Sequence, residues 1–516
     1  VTDPSPYTTE IGFQPASELR RLLERGAITS VEIVEASLRR IAEADQAGPR
    51  LHAVLATCPD GMETAHKLDA ERRQGKVRGA LHGIPVLVKD NIDTAGVEGT
   101  TAGSLALAMT RPIKDAVVVQ RLRAAGAIVI AKANLSEWAN FRATNSSSGW
   151  SATGGQCRNP HVLDRSPGGS SSGSGAGVAA GLVPMSVGTE TDGSILCPAA
   201  LNGVVGIKPT VGLTSRTGVV PVSSSQDSVG PIARTVVDAA ALLGALAGSG
   251  AGADLLGPVT IPRPTGLPSD YTVFCDSDGL AGARIGVPRQ HYFGYSAMAD
   301  ALVEAALKLA RDAGATIVDP ADVPTAEAIS QSSDEMTVML YEFKAGVETY
   351  LATRPPTPGQ PLTLSDVVAF NQDHAADELA LFGQDIFISA CAAGGVASPT
   401  YVEARARNWQ RARRDGIDAA LEHARLDVLA FPTMGPAWCI DHVNGDSHTR
   451  AGYQAAAVAG YPAISLPVGK TGGLPVGLCL VGTAWSEPTL IRIAFALEHA
   501  LALCGDMRPA WHSRAE

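Results

Sequence analysis

Two apolar patterns alternate along the chain. Short continuous runs bounded by Gly, Pro or polar residues, such as Ile84-Pro85-Val86-Leu87-Val88 and Ala127-Ile128-Val129-Ile130-Ala131, read as strands buried on both faces. Segments with helical spacing, such as Ile33-Val34-Ala36-Leu38-Ile41, read as amphipathic helices, and Thr29-Ser30-Val31-Glu32 ahead of that one is a capping-box pattern. The patterns predict strands over 81–91, 127–131, 203–210, 219–222, 284–287, 428–431, 463–466 and 476–481. Helices are predicted over 59–75, 115–125, 235–248 and 298–313, the last closed by Gly314, with another from Glu487-Pro488. Between them lie a loop-rich region over 142–168, a Gly/Pro/Asp-rich connection over 249–282 and a mostly helical region over 325–425. The proline-rich stretch 354–361 breaks that helical region, and residues 1–11 read as a polar surface arm. Such alternation predicts an α/β fold: a mixed sheet covered by helices, with strands from both ends of the chain feeding one sheet.

Composition narrows the class. At 516 residues, length alone suggests two to four domains, and 45% hydrophobic with 18% charged residues is ordinary for a globular protein. A net charge of −11 speaks against nucleic acid and anionic membranes as partners, because phosphate binding needs a basic surface. No run of 18 apolar residues exists to span a membrane. The eight cysteines are dispersed without metal-type spacing and read as free buried thiols rather than a disulfide framework. The chain begins at Val1 without a signal-peptide pattern, which leaves the compartment open.

Chemistry concentrates between Ser166 and Pro198. Two serine-bearing glycine turns, Gly168-Gly169-Ser170-Ser171-Ser172-Gly173 and Thr191-Asp192-Gly193-Ser194, are joined by a small-residue, helix-like segment. A Gly/Ser run by itself reads as a linker. Here it abuts Val178-Ala179-Ala180-Gly181-Leu182-Val183, and glycines beside serines inside apolar sequence point to tight turns or close approach to a ligand.

Several motifs fail. No H-E-x-x-H occurs, and the 11 histidines lack ligand spacing. Gly469-Lys470-Thr471 has the tail of a phosphate-binding loop, but Ile464 stands where its first glycine belongs. Gly175-Ala176-Gly177-Val178-Ala179-Ala180 matches a dinucleotide fingerprint without the strand that must precede it. Gly169-Ser170-Ser171-Ser172-Gly173 likewise has the spacing of a nucleophile elbow centred on Ser171, but follows a polar, proline-broken segment. A serine can instead be activated by a lysine that burial keeps neutral. Lys89, Lys132 and Lys208 each follow an apolar run, and spacing does not choose among them.

These residues resemble the amidase signature family. The likeness rests on His82-Gly83-Ile84-Pro85 leading into Lys89-Asp90, Pro167-Gly168-Gly169-Ser170-Ser171, Gly188-Thr189-Glu190-Thr191-Asp192-Gly193-Ser194-Ile195, Pro198-Ala199 and Gly203–Thr210, together spanning about 80–235. Leu135–Phe141, Leu340–Gly346, Ala369–Gln372 and Gly482–Pro488 are similar to its bacterial peptide amidase subgroup, which hydrolyses the C-terminal carboxamide of peptides.

The resemblance implies one amidase domain over 1–516, with a signature core about 80–235, a mostly helical insertion about 325–425, and a single large mixed twisted sheet sandwiched by helices. It implies an enzyme that needs no cofactor and hydrolyses a primary carboxamide on a peptide or small molecule. Alternatives are an aryl, acyl or aliphatic amidase, or a non-catalytic subunit of an amidotransferase-type complex. Ser194 falls at the nucleophile, Ser170 after a cis peptide at the bridging serine, and Lys89 at the base. The backbone amides of Thr191, Asp192, Gly193 and Ser194 fall at the oxyanion hole. Glu190, Asp192 and Leu196 depart from the family's usual Asp, Gly and Arg. An acidic Asp192 beside the nucleophile is expected to disfavour anionic substrates, and these departures weigh against the glutamine-transferring subunit.

Overall fold

The computed structural model describes residues 11–96, 99–247, 261–355, 357–447, 451–502 and 507–509. Most of the predicted N-terminal arm, the first part of the 249–282 connection and Cys504 lie outside them.

The strands are β1 (Val54–Thr57), β2 (Pro85–Lys89), β3 (Ile128–Ala133), β4 (Trp150–Ser151), β5 (Gly155–Gln156), β6 (Met185–Glu190), β7 (Val205–Lys208), β8 (Ser228–Ala233), β9 (Arg284–Gly286), β10 (Thr316–Val318), β11 (Val428–Pro432), β12 (Ala463–Thr471) and β13 (Leu474–Val481). Eleven form one sheet in the order β1-β3-β2-β6-β8-β7-β12-β13-β11-β9-β10, while β4 and β5 make a separate small hairpin. The N-terminal and C-terminal halves meet where β7 pairs antiparallel with β12. Two parallel blocks, β3-β2-β6 and β11-β9-β10, flank a continuous antiparallel run from β6 to β11, so the sheet is mixed, as expected. The parallel links β2 to β3 and β9 to β10 run through helices Val117–Ala124 and Ala297–Asp312.

Strand alternation divides the core. Val86 and Val88 on β2 pack with helices Val117–Ala124, Val236–Leu246, Ala297–Asp312 and Glu487–Leu501 on one face of the sheet. Leu87 packs on the opposite face, beneath helix Ser172–Ala179. Lys89, two residues beyond Leu87, falls on that second face too, which aims it at the serine-rich segment. Thr29 caps helix Ser30–Arg40 with the full capping box, accepting from the Glu32 amide at 3.2 Å.

The expected strand over 219–222 is absent. Val219 makes only an isolated bridge to Ile92, and Pro221 removes a ladder donor. Val220 and Val222 instead pack with Trp138 and Phe343. The sheet position is taken by β8, whose Gly230 and Pro231 obscure its strand character. Strands β1, β6 and β10, and helices Leu196–Asn202 and Gln454–Ala459, are likewise absent from the sequence reading.

Candidate active site

Lys89 ends β2 at the carboxyl edge of the parallel trio β3-β2-β6, where α/β sheets present ligand sites. It is fully buried rather than at a wet strand end. Its Nζ lies 2.7 Å from Ser170 Oγ, 2.9 Å from Thr189 Oγ1 and 3.3 Å from the Thr189 carbonyl. Burial lowers the amine from its ordinary 10.5 to about 7, against the opposing pull of Asp227 and Glu190. The group is therefore poised between ammonium and amine near neutrality. Asn91 donates to Thr189 Oγ1 at 2.9 Å, which fixes the threonine hydroxyl in its place beside the lysine.

Ser170 follows a cis Gly169–Ser170 peptide, as the family resemblance implies. The Ser170 carbonyl accepts from the Ser136 amide at 3.0 Å. A Cβ on Gly169 would stand 2.2 Å from Ser136 Oγ, so only glycine lets the turn lie this close to the neighbouring loop. The stretch is thus a packed turn rather than a linker.

The second turn, Thr191–Ser194, joins β6 to helix Leu196–Asn202. Buried Glu190 anchors it by accepting the amides of Ile195 and Leu196 at 2.7 and 2.9 Å, with the Gly193 amide also facing its carboxylate. Gly193 has φ +79°, and a Cβ there would fall 2.1 Å from the Tyr453 ring. The Ser194 carbonyl accepts from the Ser171 amide at 3.1 Å, tying the two turns together. The amides of Asp192 and Ser194 meet no acceptor among the described residues. Thr191 Oγ1 donates to Asp227 Oδ1 at 2.6 Å, and Asp227 Oδ2 receives the Val222 amide at 2.9 Å.

Above the turns opens a cavity of about 830 Å3, within the range of small-molecule sites. Ser194 lines it, as do Thr191 and Asp192, whereas Ser170 is sealed beneath. The loop over 142–148 supplies part of the wall, and Ala326, Ile329, Met336, Met339 and Ile386 of the mostly helical region supply another part. No lysine or arginine lines it among the described residues.

The other sequence candidates are engaged elsewhere. Lys132 donates to the Ile92 carbonyl and to Thr94 and Thr100, 3.6 Å from Asp90. Lys208 donates to the Tyr461 carbonyl at 2.8 Å. Ser171 Oγ donates to the Thr189 carbonyl at 3.0 Å, a structural contact. Thr189 and Asp227 beside Lys89 and the second turn, and Tyr453 against Gly193, are neighbours of the candidate site that sequence reasoning missed. Only Thr189 carried a signal, as part of the Gly188–Ile195 motif.

Family and fold are those of an amide-hydrolysing enzyme. The chain belongs to the amidase family, whose model, described as Amidase, matches residues 32–491. It is similar to the native peptide amidase of Stenotrophomonas maltophilia, with TM-score 0.90 and 49% identity over 96% of this chain and 98% of that one. It is also similar to a "probable amidase" of Arabidopsis thaliana, 39% identical over 490 residues, 94% of this chain and 89% of that protein. The glutamyl-tRNA(Gln) amidotransferase A-subunit of Anaeromyxobacter is 39% identical over 522 residues, 94% of this chain and 98% of that protein. Among the described residues, no helix is long and apolar enough to cross a membrane.

Proposed function

We propose that the chain hydrolyses primary carboxamides, with C-terminal peptide amides as the substrate class, through a Ser194–Ser170–Lys89 triad. The observation that carries this reading is the buried contact of 2.7 Å between Lys89 Nζ and Ser170 Oγ, one turn from Ser194 on the cavity wall. Neutral Lys89 accepts the Ser170 proton as Ser170 takes that of Ser194, whose Oγ bonds to the amide carbon. The tetrahedral oxyanion is received by the turn Thr191, Asp192, Gly193 and Ser194, in which the Asp192 and Ser194 amides are unengaged. The C–N bond then breaks as the relay runs backwards and protonates the departing ammonia. Water, deprotonated through the same relay, cleaves the acyl-enzyme ester to the carboxylate and frees Ser194.

The peptide assignment draws on the 49% identity to peptide amidase and on a cavity large enough for more than a bare acyl group. A glutaminase role, as in the amidotransferase, fits less well. Free glutamine brings an α-carboxylate, and the described lining offers three carboxylates (Asp192, Glu327, Asp446) and no lysine or arginine to receive it. Ammonia release from a peptide amide by the isolated chain, abolished in Ser194→Ala, tests the reading. No release from any primary amide would instead support the non-catalytic role in a complex, and anilide turnover exceeding peptide-amide turnover would favour an aryl-amide enzyme.

A further inference from the structure

The wall beside Ser194 carries a carboxyl group with no assigned work. Asp192 lies two residues before Ser194, and its carboxyl is buried at the cavity edge. Its Oδ1 is shielded from solvent with no hydrogen-bond partner, and no ion pair reaches the side chain from any described residue. Leaving a buried carboxyl unpaired is costly, so a partner arriving from the cavity would be favoured. Behind it stands Glu335, whose two oxygens are held by Gln226 at 2.9 Å and Gln454 at 2.8 Å. Burial and the like charges of Glu335 and Glu190 push the Asp192 carboxyl well above the usual carboxylate range, against the pull of buried Lys208, so a cation arriving from the cavity would favour its ionised form.

Independent evidence comes from the rings that line the same cavity. Tyr453 packs against Gly193, the residue between Asp192 and Ser194, and Tyr292 and Trp438 also line the cavity. Aromatic rings and an unpaired carboxyl in one lining that holds no lysine or arginine among the described residues are surroundings that favour an organic cation. Of the other lining carboxylates, Asp446 is already satisfied by the Ser148 amide, the Ser148 hydroxyl and Trp438 Nε1, and Glu327 is solvent-exposed and accepts from Gln331, which leaves Asp192 as the shielded open acceptor.

We propose that Asp192, backed by Glu335, is a specificity-determining residue that selects amides bearing a protonated nitrogen close to the scissile carboxamide. This rests on the amide-hydrolase reading above. The cation is either the free α-ammonium of an amino-acid amide or the charged side chain of the terminal residue, and both offer N–H donors to the same acceptor.

Two matched pairs distinguish the sources. Leucinamide against Nα-acetyl-leucinamide varies the α-ammonium, and Nα-acetyl-argininamide against Nα-acetyl-citrullinamide varies the side-chain charge at near-constant shape. In the wild-type chain, kcat/KM is expected to favour the cationic member of at least one pair by about tenfold or more, as for a charge pair formed out of bulk water. That ratio should fall toward one in Asp192→Asn and drop partway in Glu335→Gln. The ratio within each variant is the readout, so general loss of activity does not disturb it. Should Asp192→Asn not fold, Glu335→Gln and the wild-type ratios decide. Neutral members hydrolysed as well as cationic ones, or a preference surviving in every folded variant, would overturn the proposal. Absence of ammonia from all four amides would overturn the hydrolase reading itself, and this inference with it.

Discussion

Replacing Lys89 with methionine should move activity and stability in opposite directions. Burial takes the amine from 10.5 to about 7, a preference for the neutral form of about 5 kcal/mol at roughly 1.4 kcal/mol per unit. Because the folded value lies below the unfolded one, the unfolded chain binds the proton more tightly. The resulting penalty on folding is full below pH 7, is still about 4 kcal/mol at pH 7 and fades as pH rises toward 10.5. Methionine carries no such penalty and leaves few groups orphaned. The Thr189 carbonyl keeps the Ser171 hydroxyl, and Thr189 Oγ1 keeps Asn91. After the lost hydrogen bonds are counted, Lys89→Met should gain about 1–3 kcal/mol near pH 6.5, shrinking to nothing or reversing above pH 10. Turnover should fall by about a thousandfold or more, the range for loss of a general base. In the wild-type chain, about half the lysine is neutral at pH 7, against about one part in three thousand for an unperturbed amine. Its kcat/KM should therefore rise with pH through about 7 and level off. Ammonia release between pH 5.5 and 9, with urea unfolding at pH 6.5 and 10, measures all of this. Near-wild-type turnover in the variant, a wild-type profile flat across neutrality, or a variant less stable at pH 6.5 would refute the reasoning.

Asp227→Asn removes the carboxylate whose charge most supports the Lys89 ammonium, so the acidic limb of the same profile should move to lower pH; an unmoved or raised limb contradicts the assignment. Gly193→Ala sets a methyl against the Tyr453 ring at a left-handed φ, and should cost at least about a hundredfold in kcat with intact circular dichroism. Glu190→Gln weakens the acceptor that gathers the Ile195 and Leu196 amides; kcat should fall about tenfold or more while KM changes little, and a pure KM effect would place Glu190 in binding instead.

What could be read from the chain was whatever local pattern controls. The continuous apolar runs at Val86–Val88 and Ile128–Ile130 became strands flanked on both sides, and burial on both faces leaves them no alternation to detect. Ser228–Ala233 escaped notice because Gly230 and Pro231 are poor strand formers, tolerated here by the surrounding pairs to β6 and β7. Val219–Val222 misled for the reverse reason, its valines serving a helical layer rather than a ladder. Lys89, Lys132 and Lys208 looked alike in sequence and are all fully buried in the fold. Each meets at least one backbone carbonyl, and tertiary packing brings a serine hydroxyl to Lys89 but not to the other two. Asp227 and Glu335 reach the site across distant stretches of chain, and nothing local to either announces it.

The two sides of the cavity come from separate parts of the chain. Lys89, Ser170 and Ser194 ride on the sheet and the turns packed against it, whereas much of the facing wall comes from Ala326–Ser330, Asp334–Leu351 and Asp385–Ala392. Exchanging those helices, or lengthening the links between them, would reshape what enters without displacing the amine or either hydroxyl. A scaffold divided in this way can acquire new clients by remodelling its roof, while the floor keeps its chemistry.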